Sequence, residues 1–278
     1  MNIENEFVYS FTQYSVIGHV FTLGYAAMAA GFAYFILTSK NAAPRYQLSS
    51  TLSAVVMASA FLELLVISNR WTSGFDWNGE NYVPSDQAFS NGYRYMNWSI
   101  DVPVLLTQLL IVLGVTGVAF RKAWILFVIG GLGMIYTGYL GQFDEVERGT
   151  AFWVWGIIST VFFLGLLVLV ARTVFRNRPR LPEEVHSMVG VVWWLLLCSW
   201  TLYPIAYVMP ALWDTADGVV LRQILYTLAD ISSKIIYGIL LAVIARKISR
   251  TEGYDDAVPA EVGMPRGGVT DRDAPGRI

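Results

Sequence analysis

Charge is what this chain has least of. Asp, Glu, Lys and Arg make up 14% of its 278 residues, where soluble domains carry about 25%. A water-soluble globule of this size needs a charged skin that this composition cannot supply. A soluble enzyme and a disordered scaffold are therefore disfavoured, and no enzymatic activity is expected. There is one cysteine, Cys198, which permits neither an internal disulfide nor a cysteine-based zinc site. Two histidines, His19 and His186, are too few for a multi-histidine metal centre. The net charge of −2 comes without a basic patch, so nucleic acid is not an expected partner. The opening MNIENEFVYS has no basic stretch before a short apolar core, and no cleaved signal peptide is expected. No internal repeat is visible, which speaks against an inverted-repeat transporter. What is present is apolar and aromatic: 55% hydrophobic residues, 14% aromatic, with ten Trp. That composition points to a protein whose partner is the lipid bilayer. The rings serve either as interface belts or as the lining of a pocket for a flat apolar ligand.

The apolar runs predict seven membrane helices, over 13–38, 48–70, 93–119, 122–143, 149–175, 186–212 and 219–247. The expected fold is an all-α membrane protein, a seven-helix transmembrane bundle over 1–250 with a disordered tail over 251–278. Loops after spans 1, 3, 5 and 7 carry Lys40, Arg45, Arg121, Lys122, Arg176, Arg178, Arg180, Arg246, Lys247 and Arg250. Loops after spans 2, 4 and 6 carry mainly Asp76, Glu80, Asp86, Asp144, Glu145, Glu147, Asp214 and Asp217. The positive-inside rule then puts the N-terminus outside and the C-terminus in the cytoplasm, with the chain in a cell (inner) membrane. The loop 71–92 holds an Asn-Gly pair between aromatic residues and predicts a small hairpin on the outer face.

Ionisable residues inside a span are expensive and point to function. Glu63, Asp101, Asp230 and Lys234 stand near mid-span, and Arg94 and Arg222 lie nearer the outer ends of spans 3 and 7. Lys234 is too deep for its side chain to snorkel to the inner surface. It is either a structural lysine neutralised by a buried partner or an amine held for covalent chemistry, as a desolvated lysine condenses readily with an aldehyde. Asp230 precedes it by four residues and shares its helix face. Arg94, Asn97, Asp101 and Gln108 fall within about 60° of one another around span 3, a polar stripe that reads as an ion path or as a hydrogen-bonded helix contact.

GYRYMNWSIDVPVLLTQ (92–108), SWTLYPIAYVMP (199–210) and YTLADISSKIIYG (226–238) together resemble the microbial rhodopsins, over all seven spans. Outward proton pumps of that family carry Asp-Thr-Asp or Asp-Thr-Glu at three signature positions on span 3. This chain has Asn97, Asp101 and Gln108, which resembles the Asn-Asp-Gln light-driven sodium pumps. LSAVVMASAFL (52–62), GQFDEV (141–146) and FTLGYA (21–26) are further matches to that subgroup. The resemblance implies all-trans retinal bound covalently to Lys234 as a protonated Schiff base. It implies a pocket lined by Trp98, Trp200, Tyr203 and Pro204, joined by Trp155, Gly156 and Tyr226. Ser53 and Gln108 would lie on the cytoplasmic uptake path, with Ser50 near its mouth, and Ser59 would approach Asn97. Arg94 would separate the inner cavity from the outer side, while Glu145 and Arg222 would form an outer gate. His19 resembles a contact between protomers of a homo-oligomer, a pentamer in that family, although a packing histidine fits as well. His186 receives no role.

The chemistry follows from charge. Gln108 carries no titratable proton and cannot reload an imine. Asp101 becomes counterion and proton acceptor, and the proton's move to it removes the positive charge that bars sodium. Asn97 and Asp230 then offer oxygen ligands to a transient sodium ion. Glu63 departs from the subgroup, where an apolar residue is commoner. It is expected to hold a proton and to hydrogen-bond Asp101 or Asn97; a neutral Glu facing lipid or a neighbouring helix is the plainer alternative. Competing functions are an outward proton pump, or proton pumping when sodium is absent, then a photosensor, then a seven-helix receptor without retinal.

Overall fold

The computed structural model describes residues 2–254, so the tail predicted over 251–278 lies outside the described residues from position 255 onward. The helices are α1 (Phe11–Thr38), α2 (Pro44–Ser73), α3 (Gly92–Val112), α4 (Gly117–Gln142), α5 (Thr150–Asn177) and α6 (His186–Leu212). A seventh span, Ala216–Thr251, consists of α7 (Ala216–Asp230), a π-helical turn (Ile231–Ile236) and α8 (Tyr237–Thr251). Among the described residues seven helices are long and apolar enough to cross a bilayer, and the chain is a multi-pass membrane protein with an all-α seven-helix bundle.

Local chemistry sets the ends of these helices. Ser10 caps α1 in a reciprocal capping box with Gln13. Pro44 opens α2 at its first turn, where its missing N–H costs nothing. Thr215 caps α7 by accepting from the Gly218 N–H. Span 3 is shorter than the apolar run implied: it ends at Val112, not at 119, and α4 begins at Gly117, not at 122. The break comes from Gly114 and Gly117, whose φ values of 66° and 60° are left-handed and favour glycine.

Burial separates interior from periphery. In α3, 61% of the most apolar window is buried, in the seventh span 56%, and in α4 only 17%. The polar stripe of α3 and the residues around Lys234 therefore lie in the middle of the bundle. Ile157, Val161 and Leu37 are among the large apolar side chains left outward, as a lipid-facing surface requires.

The connections gather at two faces. At the N-terminal face, residues 2–10 lie against a two-stranded hairpin, β1 (Phe75–Trp77) and β2 (Tyr82–Pro84), by an antiparallel bridge between Tyr9 and Tyr82. The predicted hairpin is present, with Asn78 and Gly79 in its turn; the Asn78 Oδ1 accepts from the backbone N–H groups of Glu80 and Asn81. An aromatic cluster of Tyr9, Trp71, Phe75 and Phe89 seals this end. At the C-terminal face the Ser249 Oγ accepts from the Ala43 N–H at 2.8 Å and Arg45 pairs with Glu252.

Candidate functional site

Lys234 sits inside the π turn of the seventh span, an irregularity frequent at functional sites. Its side chain is 1% exposed. The Nζ donates to Asp230 Oδ1, one helical turn back, and lies 3.6 Å from Asp101 Oδ2 on α3. Asp230 is held from two more directions, and one of the groups that holds it is itself positioned by Ser233. The Tyr203 hydroxyl donates to its Oδ1 at 2.7 Å, Arg94 Nη1 donates to its Oδ2 at 3.1 Å, and the Tyr203 hydroxyl also meets Ser233 Oγ at 3.2 Å. Asp101 has no such support: neither of its oxygens has a hydrogen-bond partner among the described residues. The amine thus rests on a fully coordinated Asp230 and faces a free carboxyl on Asp101.

The other polar positions of α3 lie where the stripe predicts. Asn97 Nδ2 donates to Ser59 Oγ at 2.6 Å, while Asn97 Oδ1 is buried and unpartnered. One side of that amide is fixed and the other is open to a cation or water. Further toward the C-terminal face, Ser53 Oγ donates to Gln108 Oε1 at 3.1 Å. Gln108 Nε2 has no partner, and Ser50 is buried nearby on α2.

Glu63 does not make the hydrogen bond expected of it with Asp101 or Asn97. Its carboxyl is buried, both oxygens are unpartnered, and Oε1 stands 3.8 Å from Arg94 Nη1. It does not face lipid. As the residue one turn beyond Ser59, it lies on the N-terminal side of Asn97, level with Arg94. Three carboxyls, Glu63, Asp101 and Asp230, therefore share two cations, Arg94 and Lys234.

A second cluster occupies the N-terminal face. Arg222 Nη2 donates to Glu145 Oε2 at 2.6 Å and Arg222 Nη1 to Glu4 Oε1 at 3.2 Å, all three side chains being buried. Asn2 Nδ2 and the Ile3 N–H donate to Glu145 Oε1 at 2.7 and 3.0 Å. Asn91 Nδ2 and Gln223 Nε2 donate to Glu4 Oε1 at 2.6 and 2.8 Å. Burial pushes the Glu4 carboxyl above its ordinary range, against the pull of Arg222. The two clusters are joined, because Arg94 Nη2 donates to Gln223 Oε1 at 3.1 Å. Sequence reasoning found Glu145 and Arg222 but missed Glu4, Asn2, Asn91 and Gln223. The density of Asn and Glu in residues 2–6 was the only signal for the first two.

Beside Lys234 lies an apolar cavity of about 180 Å³, reached by Trp98, Trp200, Tyr203, Pro204, Gly156 and Tyr226. Trp98 packs edge-on to Tyr203, with ring centroids 4.9 Å apart. Trp155 is a correction: it does not line the cavity. The α5 face that does so centres on Phe152, Gly156 and Phe163, with Trp153 at its edge. Trp155 flanks that face and turns to α4, where its Cβ packs over Gly141. Gly156 lines the wall because a Cβ there would stand 2.9 Å from the Tyr207 ring. Trp153 and Ile157 both line the cavity and are exposed at the bundle surface, so the cavity opens toward lipid beside α5. An apolar slot ending at a buried amine, with one free and one coordinated carboxyl beside it, fits a polyene aldehyde such as retinal. His19 is exposed on α1.

A family model described as bacteriorhodopsin-like protein matches residues 15–248. The green-light absorbing proteorhodopsin of Gamma-proteobacterium EBAC31A08 is 24% identical over 236 residues, covering 84% of this chain and 87% of that protein. The bacteriorhodopsin of Haloterrigena sp. (strain arg-4) is 24% identical over 230 residues, 79% of this chain and 84% of that one. Among solved structures, a thermophilic rhodopsin superposes with a TM-score of 0.83 at 31% identity, covering 89% of this chain and 99% of that one. Xanthorhodopsin, described as a light-driven ion pump with dual chromophore, superposes with a TM-score of 0.80 at 31% identity and the same coverages.

Proposed function

The chain belongs to the bacteriorhodopsin-like family, and from that premise we propose that it is a retinal-binding, light-driven pump that exports sodium. One observation carries the sodium reading. Asp101, with both oxygens unpartnered, faces Lys234 Nζ at 3.6 Å, while the flanking positions of the α3 stripe are the neutral amides Asn97 and Gln108. All-trans retinal, joined to Lys234 Nζ, supplies a light-absorbing polyene whose isomerisation changes the orientation and proton affinity of that nitrogen. Trp98, Trp200, Tyr203, Pro204, Gly156 and Tyr226 hold it.

The residues do the rest. While the Lys234 nitrogen is protonated, a sodium ion about 4 Å away is repelled by about 4 kcal/mol at an effective dielectric constant of 20. That is roughly a thousandfold barrier. The proton's move to Asp101 removes it, and Asp101 is free to accept because nothing else is bonded to its oxygens. Sodium then passes from Ser50, Ser53 and Gln108 to Asn97 Oδ1 and Asp230, which offer hard oxygen ligands. Return of the proton from Asp101 to Lys234 closes the way back, and the ion leaves by Glu145 and Arg222. No proton crosses the membrane. In this reading the C-terminal face, with its basic loops, is the cytoplasmic one, and the pump works as a homo-oligomer, a pentamer with His19 at the contact, in the cell membrane.

A second reading is outward proton pumping when sodium is absent, favoured by the same free Asp101 and by the extra carboxyl of Glu63. Light-driven pH change in cell suspensions separates the two. Sodium export in sodium salt gives passive proton uptake, hence alkalinisation that a protonophore increases. Acidification that a protonophore abolishes, with sodium present, overturns the sodium reading. Lys234→Ala is expected to abolish the visible absorption band formed with added retinal. A photosensor reading predicts no ion movement in either salt.

A further inference from the structure

Arg94 blocks the way from Lys234 to the N-terminal face. Its guanidinium is fully buried and bonds Asp230 Oδ2 through Nη1 and Gln223 Oε1 through Nη2, each at 3.1 Å. A cation that takes Asp230 as a ligand meets this fixed positive charge at contact distance. Export therefore requires that Arg94 let go of Asp230, and a buried guanidinium that lets go needs another anion.

Glu63 stands at that place. Its Oε1 is 3.8 Å from the same Nη1 that holds Asp230. Its side chain is 5% exposed, and neither oxygen has a hydrogen-bond partner. A buried carboxyl without a hydrogen-bond donor is costly, and in the resting arrangement Arg94 Nη1, 3.8 Å away and bonded to Asp230, offsets only part of that cost. Charge counting shows what offsets the rest. With Glu63 ionised opposite Arg94, rather than holding a proton as the sequence alone suggested, the charges that remain once the Lys234 proton has moved to Asp101 are Arg94 against Glu63 and Asp230, one negative in excess. A single monovalent cation then makes the group neutral. With an apolar residue at position 63 the same cation would leave it one positive in excess.

We propose that Glu63 is a second seat for Arg94: a positioning residue that takes up the guanidinium as sodium arrives, freeing Asp230 Oδ2 and Asn97 Oδ1 to ligate the ion. Asn97 Oδ1 is the other buried oxygen there without a partner, and Ser59, one turn from Glu63, fixes its amide in that orientation. The inference rests on the sodium-export reading above and names the device that lets the ion past Arg94.

The test uses the full chain with retinal in lipid vesicles, as wild type, Glu63→Gln, Glu63→Asp and Glu63→Leu. Glu63→Gln is expected to lower the initial rate of light-driven sodium transport roughly tenfold and to raise the half-saturating sodium concentration by a similar factor, the effect of losing one charge-assisted hydrogen bond. Its visible band should stay close to wild type, because Glu63 does not touch Lys234. Glu63→Asp should recover transport to within about twofold, since it keeps the charge. If Glu63→Gln forms no pigment, Glu63→Leu provides the same loss of charge. Light-minus-dark infrared spectra with isotope-labelled arginine should show guanidinium bands shifting in wild type in sodium and not in Glu63→Gln. Wild-type rate and half-saturation in Glu63→Gln, or unmoved guanidinium bands in a transporting wild type, overturn the second seat. If wild type moves no sodium, the export reading falls separately. The arginine bands then still decide: a shift that requires the Glu63 charge supports the seat, and no shift removes it.

Discussion

The two halves of the bundle on either side of Lys234 are built from different materials. Toward the N-terminal face a hydrogen-bonded and ion-paired chain runs from Asp230 through Arg94, Gln223, Glu4 and Arg222 to Glu145. Toward the C-terminal face the polar stripe of α3 continues with a single neutral side-chain pair, Ser53 and Gln108, and the ion pair Arg45–Glu252 lies only at the exposed end. Around that neutral pair lie buried apolar side chains such as Leu105, Leu109, Val112, Leu241 and Ile244. A polar chain gives an ion oxygen ligands at every step, and its barriers are the fixed cations Arg94 and Arg222. An apolar plug offers an ion one side-chain carbonyl oxygen, and its barrier is desolvation. The N-terminal half can therefore open by moving charged side chains, whereas the other half needs helices to part and water to enter. A pump that loads from one side and releases to the other has use for this asymmetry.

The largest effect is expected where the halves meet. Asp101→Asn leaves Lys234 with Asp230 alone and removes the proton acceptor. A positioned acid or base contributes about a hundredfold or more, so light-driven transport should fall by at least that factor in vesicles, while the pigment still forms. Transport at more than about a tenth of the wild-type rate would show that Asp230 takes the proton, and would move the boundary between the halves onto the seventh span.

Next comes the charged half. Arg222→Gln leaves Glu4 and Glu145 buried without their cation, a change that costs about 3–5 kcal/mol. The apparent Tm should fall by about 10 °C, measured by loss of the visible band on heating. Glu4 adds a pH signature of known sign. Burial raises its carboxyl above the ordinary 4.5, so the folded state binds that proton more tightly than the unfolded chain. The stability linked to it is present below 4.5 and is lost as pH rises through the raised value. Wild type should lose thermal stability across that window, and Glu4→Gln should flatten the slope. A slope unchanged in Glu4→Gln would mean that the cluster is paid for by some other carboxyl.

How far this was legible in the chain follows from the same contrast. Seven apolar runs and the stripe on α3 are periodic local signals, and the bundle lies where that periodicity puts it, while the Ser59–Asn97 and Ser53–Gln108 contacts lie where the family resemblance, not periodicity, brought those residues together. The end of α3 was not legible, because the apolar run continues through Gly114 to position 119 and hydropathy does not register a left-handed glycine. Trp155 and Trp153 are equally aromatic; only the contact of α5 with α4 decides which one meets the cavity. Glu4 and Gln223 are joined across 219 positions, and no local spacing encodes that. Glu63 was visible as a charge out of place, but its neighbour was read as Asp101 or Asn97 where the fold provides Arg94. Helix phase shows which face a residue occupies, and only the packed bundle shows what stands opposite.

The smallest effect is expected in the apolar half, and it is the sharpest check on the contrast. Ser53→Ala removes one neutral hydrogen bond, worth about 1 kcal/mol. Gln108 then has no hydrogen-bond partner for its side chain among the described residues, since Nε2 already has none. If the C-terminal half is a plug that opens by helix movement, this bond matters only while the ion rests on Gln108. Sodium transport should slow by about fivefold at limiting sodium and recover at saturating sodium, because the opening itself is untouched. Vesicle assays over a sodium series distinguish the cases. A loss as deep as that of Asp101→Asn, unrelieved by sodium, would mean that the Ser53–Gln108 pair is itself the gate, and the two halves would then share one principle of polar gating.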